Sequence, residues 1–418
     1  MKIALVNYEF YPEIGGIGSH LTSLCKMLKN SEIELTIFNR SYKNHDIYDI
    51  LDSRNYKKSD IFRYFLNGKF LKNILYLLYC IMKNISIPLL DRLKMCFYIF
   101  TDEDVLIRTV KNSSKLIPFF RKRDFDFILA GSTFSDVLPL CVFFKIITGK
   151  KLIALTYGND FITRPPLYLK TPFFQYTDHI IVASHRIKKF VMNIHNLKEK
   201  KISIINLGVI IEDYKLNMTK NELRDELGIP KDKFVIISVG RHVFRKKFDL
   251  VLKAIKNLTD KYESLDLRYY LIGKGEETKK LKNLTKKLKI EEKVIFLGEV
   301  DDNIRNKYLK ASDTFIMPSI TAEKTIEGFG IVYLEANYYK LPVIGAKSGG
   351  IVDAIKNNET GFLIQPNNLN ELVDKIYFLY KHPTKRKLMG EKGHERVIQK
   401  FNWNKIKEEY IYLFNQMR

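Results

Sequence analysis

Cysteine is scarce in this sequence, and its placement argues against two kinds of scaffold. The four cysteines are far apart in the chain, at Cys25, Cys80, Cys96 and Cys141. No C-x-x-C pair or adjacent histidine cluster occurs, so neither a disulfide framework nor a structural zinc site is indicated. The first residues also lack the long apolar run of a signal peptide. The sequence thus predicts a reducing, cytoplasmic location.

Acidic residues are few relative to basic ones. Among 418 residues, 70 are lysine or arginine and 47 are aspartate or glutamate, which gives a formal net charge of +23. This balance indicates a polyanionic neighbour such as nucleic acid, an anionic membrane or a phosphate-bearing substrate. Because the lysines are spread along the chain, nucleic acid is not predicted as a partner. The alternative is a compositional bias that leaves a diffusely basic surface.

The most apolar segment, residues 69–100, lacks an uncharged run long enough to span a bilayer. The stretch between Lys72 and Lys83 is too short. Lys69, Lys72 and Lys83 recur at helical spacing, so a basic stripe follows a mostly apolar helix. We predict that this helix lies on the inner face of an anionic cell membrane and makes the protein peripheral. The alternative is that it only covers the first sheet.

The sequence does contain two series of short apolar runs that alternate with helical segments. The first series is at residues 2–6, 34–38, 61–66, 125–130, 151–156, 179–183 and 202–206. The second is at residues 234–239, 268–272, 294–297, 314–317, 342–345 and 361–364. Such alternation is typical of parallel sheets covered on both faces. The predicted fold class is α/β, with two doubly wound Rossmann-like domains at residues 1–212 and 213–400.

A glycine-flanked helix start is the strongest functional pattern. Gly328 and Gly330 let the backbone around Phe329 approach a ligand closely, and a helix is predicted from Ile331 onward. The free N–H groups at this start, with that of Val332 among them, favour an anion such as a phosphate.

Two glutamates accompany this helix. Glu335 lies inside it, where a carboxylate can accept two hydroxyl groups of a ribose. Glu327 lies just before it, nearer to whatever the phosphate carries. The pair indicates a nucleotide with a sugar attached; the alternative is two unrelated surface acids.

A basic pair follows the first strand of the second series. Arg241 and Lys246 come after residues 234–239. A guanidinium and an ammonium at a strand end can clamp a diphosphate. The alternative is that Arg245, Lys246 and Lys247 form a solvated basic turn.

These motifs together resemble the signature of retaining glycosyltransferases of family four, which have the GT-B fold, and the resemblance covers nearly the whole chain. Arg241 and Lys246 match the family's basic pattern, although Lys247 replaces its glycine. Tyr157 stands where the family often has a histidine, followed by Asp160, and both are predicted on the sugar or acceptor side. The resemblance also implies a C-terminal helix, about residues 401–418, that packs back on the first domain.

The resemblance implies transfer of a sugar from a nucleoside diphosphate sugar to a glycan or lipid-linked acceptor in cell-envelope or surface glycan synthesis. Glu327, Arg241 and Lys246 are predicted to be catalytic. The predicted donor-binding residues are Gly15, Gly16, Val300, Gly328, Phe329, Gly330, Ile331, Val332 and Glu335. No cofactor and no metal is expected, since two D-x-D patterns, at residues 102–104 and 124–126, are better explained as turn acids. The alternatives are a sugar-nucleotide epimerase of similar architecture and a basic membrane-binding protein without catalysis.

Overall fold

The chain forms two compact units in a computed structural model. The structure describes residues 1–7, 16–29, 31–39, 61–63, 81–84, 87–100, 124–134, 137–162, 167–262, 265–322 and 325–418. The first unit consists of Met1–Asn206 and Lys407–Arg418, and the second of Leu207–Ile406. The sequence predicted divisions after residues 212 and 400, whereas the units divide after Asn206 and Ile406.

The first unit contains a seven-stranded parallel sheet. Its strands are β1 (Lys2–Val6), β2 (Glu34–Asn39), β3 (Ile61–Arg63), β4 (Phe127–Ala130), β5 (Lys151–Thr156), β6 (His179–Val182) and β7 (Ile202–Ile204). Their order is β3-β2-β1-β4-β5-β6-β7, and each neighbouring pair is parallel. These strands are nearly continuous apolar runs because helices cover both faces of such a sheet. Residues 64–66 of the predicted third strand lie outside the described residues.

Helices follow the strands of this unit. They are α1 (Gly16–Leu28), α2 (Leu89–Phe100), α3 (Val137–Thr148), α4 (Asn159–Ile162), α5 (Leu167–Tyr176) and α6 (His185–His195). Ser184 caps α6, since its side chain accepts a hydrogen bond from the N–H of Ile187.

The second unit contains a six-stranded parallel sheet in the order β10-β9-β8-β11-β12-β13. Its strands are β8 (Phe234–Val239), β9 (Leu267–Ile272), β10 (Val294–Gly298), β11 (Thr314–Met317), β12 (Val343–Ala346) and β13 (Gly361–Ile364). Its helices are α7 (Lys220–Glu226), α8 (Phe248–Lys261), α9 (Thr278–Lys287), α10 (Asp302–Ala311), α11 (Ile331–Tyr338), α12 (Ile351–Ala354), α13 (Leu369–Lys381) and α14 (Pro383–Lys400). The predicted α/β class with two doubly wound sheets is confirmed.

A last helix, α15 (Trp403–Met417), contributes its residues from Lys407 onward to the first unit. The Phe414 ring lies 5.1 Å from the Phe127 ring of β4, centroid to centroid. Phe414 and Tyr410 are both buried. The C-terminal residues are therefore part of the core of the first unit.

Two glycines let α14 pack closely against α11. A Cβ atom at Gly390 would lie 1.8 Å from the carbonyl oxygen of Lys340, and one at Gly393 would lie 2.5 Å from Nδ2 of Asn337. Nδ2 of Asn337 donates to the carbonyl oxygen of Leu341 at 2.8 Å. Helix α11, which carries Glu335, is thus packed against α14 at two positions, Gly390 and Gly393, where no side chain would fit.

Candidate functional site

Three loops meet at the carboxyl edge of the second sheet. They follow β8, β11 and β12, which are neighbours in the sheet, and parallel strands end on the same edge. The N–H of Ile320 donates to the carbonyl oxygen of Arg245 at 2.8 Å, and the N–H of Gly350 donates to that of Glu327 at 2.8 Å. The first and third loops are therefore each tied to the loop that begins after β11.

The Glu327 carboxylate is the centre of a buried ion cluster. Its Oε2 accepts a hydrogen bond from Nζ of Lys246 at 2.7 Å and another from Nη1 of Arg245. Glu327 is 9% exposed and Lys246 is 8% exposed. The sequence pattern identified Glu327 and Lys246 but treated Arg245 as part of a possible solvated turn. Arg245 is thus a site residue that the sequence alone did not reveal.

Opposing effects set the charge of this cluster. Burial raises the pKa of Glu327, but the positive charges of Lys246 and Arg245 outweigh it and lower the pKa to about 2. Burial lowers the pKa of Lys246, although the charge of Glu327 opposes that shift. Glu327 is therefore ionised throughout the neutral range.

Lys247 occupies the position where the resembled family has a glycine. Its φ of +57° lies in the left-handed region, which glycine adopts without strain and lysine does not. Its ammonium lies 4.6 Å from the Phe244 ring centroid and 3.4 Å from Oδ1 of Asp249. Lys247 thus adopts the backbone conformation that suits a glycine. Its charge contacts Phe244 and Asp249 nearby.

The backbone turns sharply before α11. Gly330, at φ +85°, precedes the helix. Because glycine has no side chain, it cannot cap the N–H groups of Ile331 and Val332 in the first turn. Gly328 comes before Phe329, whose ring is 1% exposed and packs 5.7 Å from the Phe401 ring. The ring of Phe329 is therefore buried away from solvent, and the predicted contact of its backbone with a donor stays a prediction.

Glu335 lies on α11 and is 7% exposed. Its Oε1 accepts a hydrogen bond from Oη of Tyr214 at 2.7 Å and lies 3.9 Å from Nη2 of Arg305. Glu335 was predicted from the sequence as a site residue, whereas Tyr214 and Arg305 were not. Tyr214 lies in residues 211–232, a mostly polar stretch between the two series of apolar runs.

Arg241 follows β8 and Val300 follows β10, at the same edge of the sheet. Arg241 is exposed, and in the described part of the chain its side chain has no hydrogen bond or ion pair. Val300 follows β10, the edge strand. Arg241 is thus a cation still available to a ligand, whereas the role of Val300 stays a prediction.

The first unit holds the other predicted residues. Gly15 lies outside the described residues, and Gly16 is the first residue of α1, with open space where a Cβ would be. The phenolic oxygen of Tyr157 is buried and has no hydrogen-bond partner among the described residues. Its predicted place on the sugar or acceptor side remains a prediction.

Asp160 is fully buried and its carboxylate holds the loop after β5. Oδ2 accepts from the N–H of Thr133 at 3.0 Å and from its hydroxyl at 2.9 Å. Oδ1 accepts from the N–H groups of Tyr157 at 2.9 Å and Gly158 at 2.8 Å. With both oxygens engaged, Asp160 shapes this loop, and its predicted contact with a sugar or acceptor stays a prediction.

The two D-x-D patterns of the sequence lie at residues 102–104 and 124–126. Asp124 pairs with Lys150 at 2.8 Å, and Asp126 accepts from the N–H of Lys2 at 2.7 Å. Residues 102–104 lie outside the described residues. In the ranges that the structure describes, no group of three or more histidine, cysteine, aspartate or glutamate residues could hold a metal ion.

The apolar segment is described only in part. Lys69 and Lys72 lie outside the described residues, while Lys83 and α2 lie within them. Three leucines of α2 are exposed, Leu89 by 55%, Leu90 by 64% and Leu93 by 50%. Of the helices that the structure describes, none has the length and apolar character needed to cross a membrane.

A family model supports the interpretation of the second unit. The model described as glycosyl transferases group 1 matches residues 219–396. That range contains Arg241, Lys246, Glu327 and Glu335.

Curated relatives carry names of the same kind. N-acetyl-alpha-D-glucosaminyl L-malate synthase of Bacillus anthracis is 29% identical over 63% of this chain and 67% of its own length. The capsular polysaccharide biosynthesis glycosyltransferase CapM of Staphylococcus aureus is 28% identical over 60% of this chain and 64% of its own. An uncharacterized glycosyltransferase of Methanocaldococcus jannaschii is 25% identical over 56% of this chain, and the match spans 59% of that relative's length.

Solved structures share the fold. Anabaena Alr3699/HepE, in complex with UDP and glucose, has a TM-score of 0.74 at 17% identity, with 100% of both chains covered. WaaG, a glycosyltransferase involved in lipopolysaccharide biosynthesis, has a TM-score of 0.66 at 13% identity, covering 97% of this chain and 98% of its own. At these identities the likeness concerns the fold, and the predicted GT-B class is confirmed.

The buried cluster generates a prediction about stability and pH. Because the pKa of Glu327 is lowered from 4.5 to about 2 in the folded protein, its contribution to stability is complete above about pH 4.5 and is lost as the pH falls toward 2. Glu327→Gln should lower the urea midpoint at pH 7, and the difference from the wild-type protein should narrow below pH 4.5. Urea titrations between pH 7 and pH 3 measure this.

A matched control is Glu395→Gln, which changes an exposed glutamate of α14. Its midpoint should stay close to that of the wild-type protein at each pH. A difference for Glu327→Gln that stays constant across the pH range would contradict the coupling of Glu327 to its two cations.

Proposed function

We propose that this chain, whose residues 219–396 match the family model described as glycosyl transferases group 1, is a retaining glycosyltransferase. It moves a sugar from a nucleoside diphosphate sugar to a glycan or lipid-linked acceptor, in cell-envelope or surface glycan synthesis. The observation that carries the proposal is the buried cluster of Glu327 with Lys246 and Arg245, beside the uncapped start of α11. The capsular polysaccharide enzyme among the relatives supports the acceptor class.

The donor diphosphate is held by charge and by backbone N–H groups. Lys246, Arg245 and Glu327 together carry one surplus positive charge, and Arg241 adds another. The N–H groups of Ile331 and Val332 add the positive end of the α11 dipole. These groups stabilise the negative charge that develops as the diphosphate leaves, which is where such donors contribute most to rate.

The transfer step proceeds on one face of the sugar. The bond between the anomeric carbon and the diphosphate oxygen breaks, and a bond from the acceptor hydroxyl oxygen forms on the same face. The hydroxyl proton passes to the departing phosphate oxygen. Glu327 keeps Lys246 in place and faces the sugar side, while Glu335 holds the ribose. Its two-cation partnership keeps Glu327 anionic, so it serves as an anchor rather than as an acid.

The first prediction concerns the donor site. Lys246→Ala and Glu335→Gln should each reduce transfer by at least about a hundredfold, because leaving-group and positioning contacts are lost. Product formation from a panel of nucleoside diphosphate sugars measures this, with circular dichroism to verify folding. Lys253→Ala, which removes an exposed ammonium paired with Asp249, is the matched control and should stay near wild-type activity. Near-normal turnover in either site variant would move the donor site elsewhere, and reaction of the donor without any acceptor product would favour an epimerase.

The second prediction concerns metal ions. Transfer should survive EDTA, since Arg241, Lys246, Arg245 and a helix start meet the phosphate charge. Initial rates with EDTA and with added Mg²⁺ or Mn²⁺ test this. A strict requirement for either ion would overturn the metal-independent mechanism.

The third prediction concerns location. A cytoplasmic enzyme with a lipid-linked acceptor needs access to the inner membrane face, and the exposed Leu89, Leu90 and Leu93 of α2 supply an apolar contact there. The protein should cosediment with vesicles that contain anionic lipid, and it should dissociate from them as the salt concentration rises. A variant that combines Lys69→Glu, Lys72→Glu and Lys83→Glu should bind these vesicles less. Neutral vesicles are the control. Equal recovery in the supernatant with and without anionic vesicles would exclude membrane binding.

A further inference from the structure

Tyr214 makes a contact with the carboxylate assigned to the ribose. It belongs to a 3₁₀ turn, Ile211–Tyr214, and is 9% exposed. Its Oη donates to Oε1 of Glu335 at 2.7 Å. Burial and the nearby charge of Glu335 raise the pKa of Tyr214 well above its usual value. The phenol therefore stays protonated and acts as the donor in this bond.

The position of Tyr214 is fixed from several sides. Oη of Tyr339 donates to the carbonyl oxygen of Tyr214 at 2.7 Å. The Tyr214 ring lies 5.7 Å from the Tyr338 ring and 6.3 Å from the Tyr339 ring. Nδ2 of Asn306 donates to the preceding carbonyl oxygen, that of Asp213, at 3.2 Å. A side chain packed and bonded in this way is not free to swing aside when a ligand arrives.

Arg305 approaches the same oxygen from α10. Its Nη2 lies 3.9 Å from Oε1 of Glu335, and its Nη1 donates to Oδ1 of Asp302 at 2.7 Å. The guanidinium lies 5.8 Å from the Tyr214 ring centroid. Burial lowers the pKa of Arg305, but Glu335, Asp302 and the neighbouring tyrosines together outweigh it, and the net shift is upward. Oε1 of Glu335 therefore has a hydrogen-bond donor, the Tyr214 hydroxyl, and a positive charge, the Arg305 guanidinium, beside it.

The two oxygens of Glu335 thus differ. Oε1 has Tyr214 and Arg305, whereas Oε2 has no hydrogen-bond partner among the described residues. We propose that Tyr214 and Arg305 are positioning residues that hold Glu335 by Oε1 and present Oε2 to the ribose of the donor. This inference rests on the proposed function, because it takes a ribose to be the ligand of Glu335. The alternative, in which the Tyr214 hydroxyl occupies the ribose position and has to be displaced, conflicts with its packing.

The test measures binding of nucleoside diphosphates and of their 2′-deoxy counterparts. The probes are UDP, GDP, ADP and CDP, titrated by calorimetry, and the tightest binder is then compared with its 2′-deoxy form. Tyr214→Phe should weaken binding of the ribonucleotide about five- to tenfold, the effect of losing one hydrogen bond of typical net strength. The loss should be about twofold or less for the 2′-deoxy form, because the hydroxyl that Glu335 binds is absent.

Tyr338→Phe is the matched control. It removes a hydroxyl from the same tyrosine cluster, and that hydroxyl has no hydrogen bond in the part of the chain that the structure describes. Binding by this variant should equal that of the wild-type protein. In turnover, Tyr214→Phe should raise KM for the donor and leave kcat nearly unchanged, a split that general destabilisation does not produce.

Each remaining outcome has one meaning. Equal losses for the two nucleotide forms would make Tyr214 a structural residue only, and tighter binding by Tyr214→Phe would make it a competitor of the ribose. If Glu335→Gln weakens nucleotide binding and Tyr214→Phe does not, this inference fails while the proposed function stands. If no nucleotide binds, or Glu335→Gln binds all of them normally, the proposed donor site itself fails.

Discussion

The buried ion cluster of Glu327, Lys246 and Arg245 is the interaction on which the arrangement of the second unit's loops depends. Removing three charges from water is costly unless each one finds a partner with good geometry. Here one carboxylate oxygen, Oε2 of Glu327, accepts a hydrogen bond from each cation. Lys246 and Arg245 are neighbours in the loop after β8. The loops after β8 and β11 can therefore adopt few other arrangements without leaving a charge unpaired. The surplus of one positive charge makes the cluster attractive to an anion rather than neutral.

The first unit meets a similar constraint with a different chemistry. The buried carboxylate of Asp160 has no ion pair among the described residues, and it accepts hydrogen bonds from backbone N–H groups and threonine hydroxyls instead. A carboxylate held in this way can shape a loop but has no lone pair in a free direction. Glu327, in contrast, uses one oxygen, Oε2, for its hydrogen bonds to the described residues. The two buried acids thus have different capacities for a ligand, which sequence spacing alone does not distinguish.

The sequence predicted the sheets well because a parallel strand buried on both faces is a continuous apolar run. The ends of such strands are also where short motifs stand, so Lys246, Glu327 and Glu335 were found from glycines, charges and a helix start. Arg245 was missed because adjacent basic residues look alike until a carboxylate selects among them. Tyr214 was missed because it lies 121 residues from Glu335 in the chain, within a stretch whose composition is that of a connection. Contacts of that kind depend on how elements meet, and local pattern carries no trace of them.

The close contact of α14 with α11 has a consequence for binding free energy. Gly390 packs against the backbone of Lys340, just after α11, and Gly393 packs against the side chain of Asn337 in α11, so these contacts restrict movement of α11 relative to α14. Under the proposed function, a nucleotide that binds at Glu335 and the start of α11 meets groups that are already in place. The entropy of ordering that helix was lost during folding, and it is not subtracted again from the affinity for the nucleotide. The close packing of α14 at Gly390 and Gly393 thus limits the movement of the helix that carries Glu335.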